Sequence, residues 1–339
     1  MWTRRALTLP AHSDSQGRPC VVHLVRRANG LRSLREFVAA FRRYEAGTEY
    51  ELVLAMKGFR SRSEAEPYLA EAADLRPEIL SFPDVGFDVG VFLATAARLR
   101  RTRYCFLNSH VRPACDGWLA MLDSALQRPD VGLVGPFGSW ASFHSWLTYS
   151  MGLPSAYRGV LPPPSLVRAL LREMELEQRE GERRSALASL RTRLRLLLQV
   201  PEELLDFEPF PAHHMRTSAF MIAHAVLAEM PLFVVRSKMD AYALESGSHG
   251  FTRQAERMGL RALVVDRAGV THEHPAWDRS QTFCQGGQER LLMVDNRTLL
   301  YERGDPARRR LLAALAWGTP VDPPVTPVGV SVPVDPCRP

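Results

Sequence analysis

Four short stretches hold side chains whose types and spacing could do chemistry. FLNSHVRP (106–113) closes an apolar run on Asn108, Ser109, His110 and Arg112. Alternate side chains of a strand share a face. Asn108 and His110 would then point together, one offering an oxygen and the other a nitrogen to a metal, a phosphate or a ribose. The local alternative is that Asn108 and Ser109 cap the next segment while Arg112 makes a structural ion pair. SFPDVGFDVGVF sets Asp84 and Asp88 around Gly86. A carboxylate there can accept from a base or a ribose hydroxyl, and Asp88 can equally cap the helix that begins near Val89. KMDAYALESGSHGFTRQ gathers Asp240, Glu245 and His249 within ten residues. A carboxylate on a loop beside a cleft is a natural general base for an acceptor hydroxyl, with Glu245 first and Asp240 second. Ser248 reads as a cap for the helix that follows. VTHEHPAW places His272 and His274 two apart after ALVV. Alternation would aim both imidazoles to one side as metal ligands, or they are hydrogen-bonded structure.

Loops carrying such groups need strands to hold them. From Cys20 apolar runs alternate with amphipathic ones: CVVHLVRR, EYELVLAMKG, PEILSFPD, RYCFLN and VGLVGPFG as strands, with helical stretches between them. That alternation predicts an α/β domain with a mostly parallel sheet flanked by helices, beginning at residue 20. Ligands of such sheets gather at the carboxyl ends of the strands. RRANG with Asn29, SFPDVGFD and FLNSHVRP each precede a helix, so the three clusters are expected on one rim. Residues 152–212 interrupt the pattern as an inserted helical segment. Within it Arg183, Arg184, Arg191, Arg193 and Arg195 lie among leucines with no acid. That face predicts either a hairpin packed on the domain or a peripheral contact with an anionic membrane. The domain runs to residue 318, residues 1–19 are an N-terminal extension, and 319–339, with seven prolines, is an extended tail.

Composition excludes several classes. The 339 residues carry 43 basic and 37 acidic side chains, and Lys57 and Lys238 are the only lysines. Arginine suits phosphate, but a net charge of +6 does not imply nucleic acid. Five scattered cysteines without CxxC spacing argue against a disulfide framework or a thiolate zinc site and predict a cytoplasmic protein. No apolar stretch reads as an export signal or a membrane span. GxxxxGK[ST], GxGxxG, GxSxG and the kinase motifs are all missing, which removes P-loop enzymes, dinucleotide oxidoreductases, serine hydrolases and kinases.

The order VVHLVRRANGLRSLREFVAAF, YELVLAMKGF, EILSFPDVGFDVGVFLATAARLRRTRYCFLNSHVRPACDGWLAMLDSAL and VGLVGPFGSWAS resembles bacterial glycosyltransferases of the GT-A type. The similarity is to a branch near the rhamnan synthesis protein F proteins, and HHMRTSAFMI, ESGSHGFTRQ and QERLLMVDNRT share it. It runs from about Val21 to Tyr301, omitting much of 152–212. The resemblance implies a GT-A-like fold and transfer of a sugar from a nucleotide-sugar donor to a hydroxyl of a glycan or lipid-linked acceptor, in surface polysaccharide or related glycan assembly. The family's Asp-x-Asp motif maps onto Asn108, Ser109 and His110, so both acidic positions are lost. A manganese or magnesium ion would then fall to His110 with His272 or His274. Glu245 maps onto the base, and His110, Arg112 or Arg253 would offset the leaving diphosphate. The alternative is a catalytically silent nucleotide-sugar binding or scaffold subunit, with peripheral contact to the inner membrane face through 183–200.

Overall fold

The runs CVVHLVRR, EYELVLAMKG, RYCFLN and VGLVGPFG are strands buried on both faces, which is how parallel strands packed under helices read in sequence, while PEILSFPD forms a largely exposed edge strand. In the computed structural model the described residues are 4–9, 17–178 and 206–318. The chain runs through β1 (Ala6–Leu7), β2 (Pro19–Arg26), α1 (Gly30–Arg43), β3 (Glu51–Lys57), α2 (Arg62–Glu71), β4 (Glu78–Phe82) and α3 (Phe87–Leu99). There follow β5 (Arg103–Leu107), β6 (Arg112–Pro113), α4 (Trp118–Leu126), β7 (Val131–Gly135), β8 (Gly138–Ser139), α5 (Phe143–Ser150) and α6 (Pro164–Gln178). After the inserted region come β9 (His214–Met215), β10 (Ala219–Ala223), α7 (His224–Glu229), β11 (Leu232–Phe233), α8 (Lys238–Ser246) and α9 (Phe251–Arg257). The last elements are β12 (Arg261–Val265), β13 (Thr271–His272), β14 (Met293–Val294), α10 (Asn296–Arg303) and α11 (Pro306–Trp317).

Eight strands form one sheet in the order β13-β12-β7-β10-β5-β2-β3-β4. β2 lies parallel to β3 and β5, β3 to β4, and β12 to β7. β10 is wedged between β5 and β7 and runs against both, and β13 closes one edge, also antiparallel. The α/β expectation therefore holds, with two reversed strands in an otherwise parallel sheet. Its helices pack by ordinary amphipathic spacing: α1 buries Leu34, Phe37, Val38 and Phe41, one stripe at intervals of three and four.

The expected N-terminal extension is not wholly detached, since β1 pairs antiparallel with β11. In the expected insertion, α6 opens after Pro162 and Pro163. Val167 joins Tyr149, Tyr157, Leu161, Leu311 and Ala314 in a small second core. The basic face from Arg183 to Arg195 and the tail 319–339 lie outside the described residues. Among the described residues no helix is long and apolar enough to cross a membrane.

Candidate active site

The parallel strands end together at one rim, and β10, being reversed, brings its beginning there: Ala219 pairs with Leu107, the last residue of β5. The pairing continues one step beyond the strands, where the amide of Asn108 donates to the Ser218 carbonyl at 2.8 Å. The tripeptide Arg216-Thr217-Ser218 is thereby fixed beside FLNSH. Its Thr217 amide donates to Glu245 Oε1 at 3.1 Å, and the Ser218 hydroxyl donates to Asp295 Oδ2 at 3.2 Å. Asn108 just after β5, Glu245 of α8 and Asp295 at the start of α10 thus meet through two consecutive residues.

The other side of the rim holds charge. Arg26 grips Asp84 with both Nε, 2.9 Å from Oδ1, and Nη2, 3.0 Å from Oδ2. Lys57 ends β3 almost wholly buried, donating to the Phe87 carbonyl at 2.8 Å and standing 3.8 Å from Asp84. Gly58 follows in the left-handed conformation at φ 80°. A Cβ there would come within 3.1 Å of Asp84 Cβ, so this glycine lets the two loops approach. Burial pushes the Lys57 ammonium below its usual value, against the pull of Asp88 and Asp84. Asp88 lies in the first turn of α3, whose N-cap is Gly86. Burial raises its carboxyl, opposed by the charges of Lys57, His110 and Arg26 and reinforced by Glu245. His110 is held below its usual range by burial, against Asp88, Asp295 and Glu36. Asp88 therefore feels both His110 and Glu245 across the rim.

The donor set at FLNSH does not fit a magnesium or manganese ion, which takes several carboxylate, carbonyl or water oxygens. Asn108 Oδ1 already accepts from the His110 amide at 3.0 Å, an Asx turn that matches the local alternative seen in the sequence. Ser109 is buried, its hydroxyl without a hydrogen-bond partner. His110 remains as the one nitrogen. Of the carboxylates on this rim, Asp88 shares the field of Lys57, Glu245 is bonded to Thr217, and Asp295 accepts from Ser218 and from the amides of Arg297 and Thr298.

Several expected site residues are placed elsewhere. Asp240 stands at the opposite end of α8 from Glu245, where it forms a capping box with Ser237 and an ion pair with Arg4 at 3.4 Å. Its carboxylate holds the helix start, also accepting from the amides of Arg236 and Ser237. Asn29 is the N-cap of α1 but makes no side-chain cap bond. Arg112 pairs with Glu36 at 2.7 Å. His272 and His274 do not point together. His272 Nε2 lies 3.0 Å from Asp266 Oδ2, and the fully buried Asp266 also meets Arg290 at 2.9 Å. Nor does His272 join His110, because β5 and β13 are four strands apart, roughly 19 Å.

His274 begins a short 3-10 helix (His274–Arg279) and stacks on His213, ring centroids 3.9 Å apart. His213, His274 and Glu256 bring their ligand atoms within 4.8 Å of one another, a set that could hold a cation. In this structure it is an ion network: His213 Nε2 lies 2.7 Å from Glu256 and 3.2 Å from Arg253, which also pairs with Glu208 and Glu256. Arg253, expected on the donor, is fully engaged here.

The sequence reading missed Lys57, Arg216, Arg297 and Asp295 at the rim, and His213 and Glu256 in the network. Ser-x-x-Asp before α8 was the one missed signal that spacing alone could supply.

No family model matches this chain, and no curated protein does. Solved structures resemble it weakly. GalNAc-T7 with UDP, GalNAc and Mn2+ is 19% identical over 34% of this chain and 22% of that one, at a TM-score of 0.27. The mannosyltransferase PcManGT from Pyrobaculum calidifontis, in complex with GDP-Man and Mn2+, is 12% identical over 37% of each chain, at 0.26. Mouse xyloside xylosyltransferase 1 is 10% identical over 74% of this chain and 85% of that one, at 0.37. The first two are thus matched over only 22% and 37% of their own lengths.

Proposed function

We propose that this protein is a GT-A-like glycosyltransferase that passes a sugar from a nucleotide-sugar donor to a hydroxyl of a glycan or lipid-linked acceptor, in surface polysaccharide or related glycan assembly. One observation carries the reading: Thr217 and Ser218 fasten Glu245 and Asn108 to the same edge of the sheet. That edge is where open α/β sheets bind nucleotides, and the sequence resemblance places the donor and the base there. Glu245 takes the proton from the acceptor hydroxyl as that oxygen attacks the anomeric carbon. The bond from that carbon to the diphosphate oxygen breaks, and its electron pair leaves on the diphosphate. Asp84, fixed by Arg26, and Asn108 border the donor side. No step is drawn through a metal, because the donor set at FLNSH does not suit one.

Incubating the full chain with UDP-, GDP-, dTDP- and CMP-sugars and a panel of glycan and lipid-linked acceptors tests the reading. One donor should be consumed with transfer, and Glu245→Gln should bind it while losing turnover. Unchanged turnover in that variant would remove Glu245 from the base role. The loss of both acidic positions at Asn108 and His110 favours a second reading, a silent nucleotide-sugar binding subunit. Tight donor binding with neither transfer nor hydrolysis, on any acceptor, would select it.

A further inference from the structure

We propose that Arg216 and Arg297 form a cationic clamp that receives the diphosphate of the donor directly, taking the place of a divalent metal. The inference rests on the glycosyltransfer reading and adds how the leaving group is neutralised.

The clamp is built by the hydrogen bond between Ser218 and Asp295. Arg216 lies two residues before one partner of that bond, and Arg297 two residues after the other. Arg216 is steered by its backbone, whose amide donates to the Phe137 carbonyl at 3.0 Å. Its guanidinium lies over the Phe283 ring, 4.5 Å from the centroid, and its Nε is buried without a hydrogen-bond partner. Arg297 is fixed by α10, with Asp295 as the N-cap. Among the described residues no carboxylate lies within ion-pair distance of either guanidinium. The nearby Asp295 is taken up by two helix amides and a hydroxyl.

Two adjacent like charges with no acid to pair with are costly, and a fold retains them more readily where an anion is bound. Burial and the neighbouring charge of Arg216 both push Arg297 below its usual value, in keeping with that cost. Guanidinium presents its donors in a planar fork that matches phosphate oxygens. The position suits the leaving group: Arg216 is adjacent to Thr217, which holds Glu245. The segment that fastens Glu245 thus also carries Arg216, a cation for the negative charge that develops as the sugar departs.

Calorimetric titration of the full chain in EDTA tests this, with inorganic pyrophosphate, the three nucleoside diphosphates UDP, GDP and dTDP, and their parent nucleosides as probes. Pyrophosphate should bind in EDTA, and replacing EDTA with manganese should change its affinity less than threefold. Arg216→Gln and Arg297→Gln should each weaken pyrophosphate and nucleoside diphosphate binding at least tenfold and leave nucleoside binding within twofold. Arg297→Lys should recover part of the loss. Thermal unfolding checks the fold: removing one of two like charges should leave the apo Tm unchanged or higher, whereas a merely structural arginine would lower it. Pyrophosphate binding that requires manganese, or that survives both Gln variants, overturns the clamp. If nucleosides bind and pyrophosphate adds nothing, the clamp fails and the transferase reading stands. If pyrophosphate binds through the arginines but no donor is turned over, the anion site stands and the transferase reading fails.

Discussion

Two arginine sites in this molecule draw on residues only three apart in the chain, His213 and Arg216, and are built in opposite ways. Beside His213, Arg253 meets Glu208 and Glu256, and His213 itself meets Glu256. Beside Ser218, Arg216 and Arg297 share a rim with one aspartate whose oxygens are already spoken for. In the first site folding has neutralised the charge, leaving a network that holds α9 against the segment before β9. In the second the charge is left over and available to a ligand. Arginine content alone says nothing of this difference, which depends on where each carboxylate is used.

The contrast can be broken by experiment. The largest expected effect separates the sites by activity: Glu245→Gln should slow transfer about a thousandfold, while Glu256→Gln should change it less than about threefold by the same donor-consumption assay. A large loss in Glu256→Gln would move the chemistry into the paired network. Next, Glu256→Ala should destabilise the fold by roughly 1–3 kcal/mol in urea unfolding, since it strands partly buried partners of a shared acid. Arg216→Gln should cost much less; the reverse order would sink the distinction.

A third test concerns pH. His23 is 1% exposed beneath the rim, stacked on Phe37 at 3.6 Å. Burial, with a smaller push from His110, lowers its pKa from 6.5 to about 3. Below pH 6.5 the unfolded chain therefore binds a proton that the folded chain refuses. Stability is complete above that value and falls as pH drops toward about 3. At pH 5 the loss from this group should be about 2 kcal/mol, and His23→Leu should flatten that part of the profile in denaturant titrations. The smallest effect is at the start of α8. Asp240→Ala should cost about 1 kcal/mol through loss of its half of the capping box and leave turnover unchanged, whereas a turnover collapse would place Asp240 in the chemistry.

What could be read from the sequence follows from what is local. The strands from β2 to β5 announced themselves because each is an apolar run between amphipathic helices, and their ends therefore named the rim. Asn108 and Glu245 were found because polar groups break those runs. Arg216 and Arg297 were hidden. One precedes the strand AFMIA and the other follows a capping aspartate, so each looks like an ordinary flanking residue until the Ser218 to Asp295 bond joins them. Lys57 was hidden for another reason: it completes a strand whose other residues are apolar, and only the fold shows its ammonium turned toward Asp84. His274 was singled out with the wrong companion, since His272 is held by Asp266 and the true neighbours, His213 and Glu256, come from distant segments.

The reversed course of β10 has a consequence of its own. Had that strand run with its neighbours, its entry would open on the far edge of the sheet, and the three residues before it would be remote from FLNSH. Running backwards, it turns an entrance into a wall of the cleft. The two rungs Gly138 to Met215 and Ser139 to His214, continued by the Ala212 amide on the Trp140 carbonyl, then fix both ends of the long excursion between β8 and β9. Lengthening that excursion raises the entropy of closing it only slowly, by about 0.6 kcal/mol per doubling. Its length can therefore change at little cost while the rim stays put.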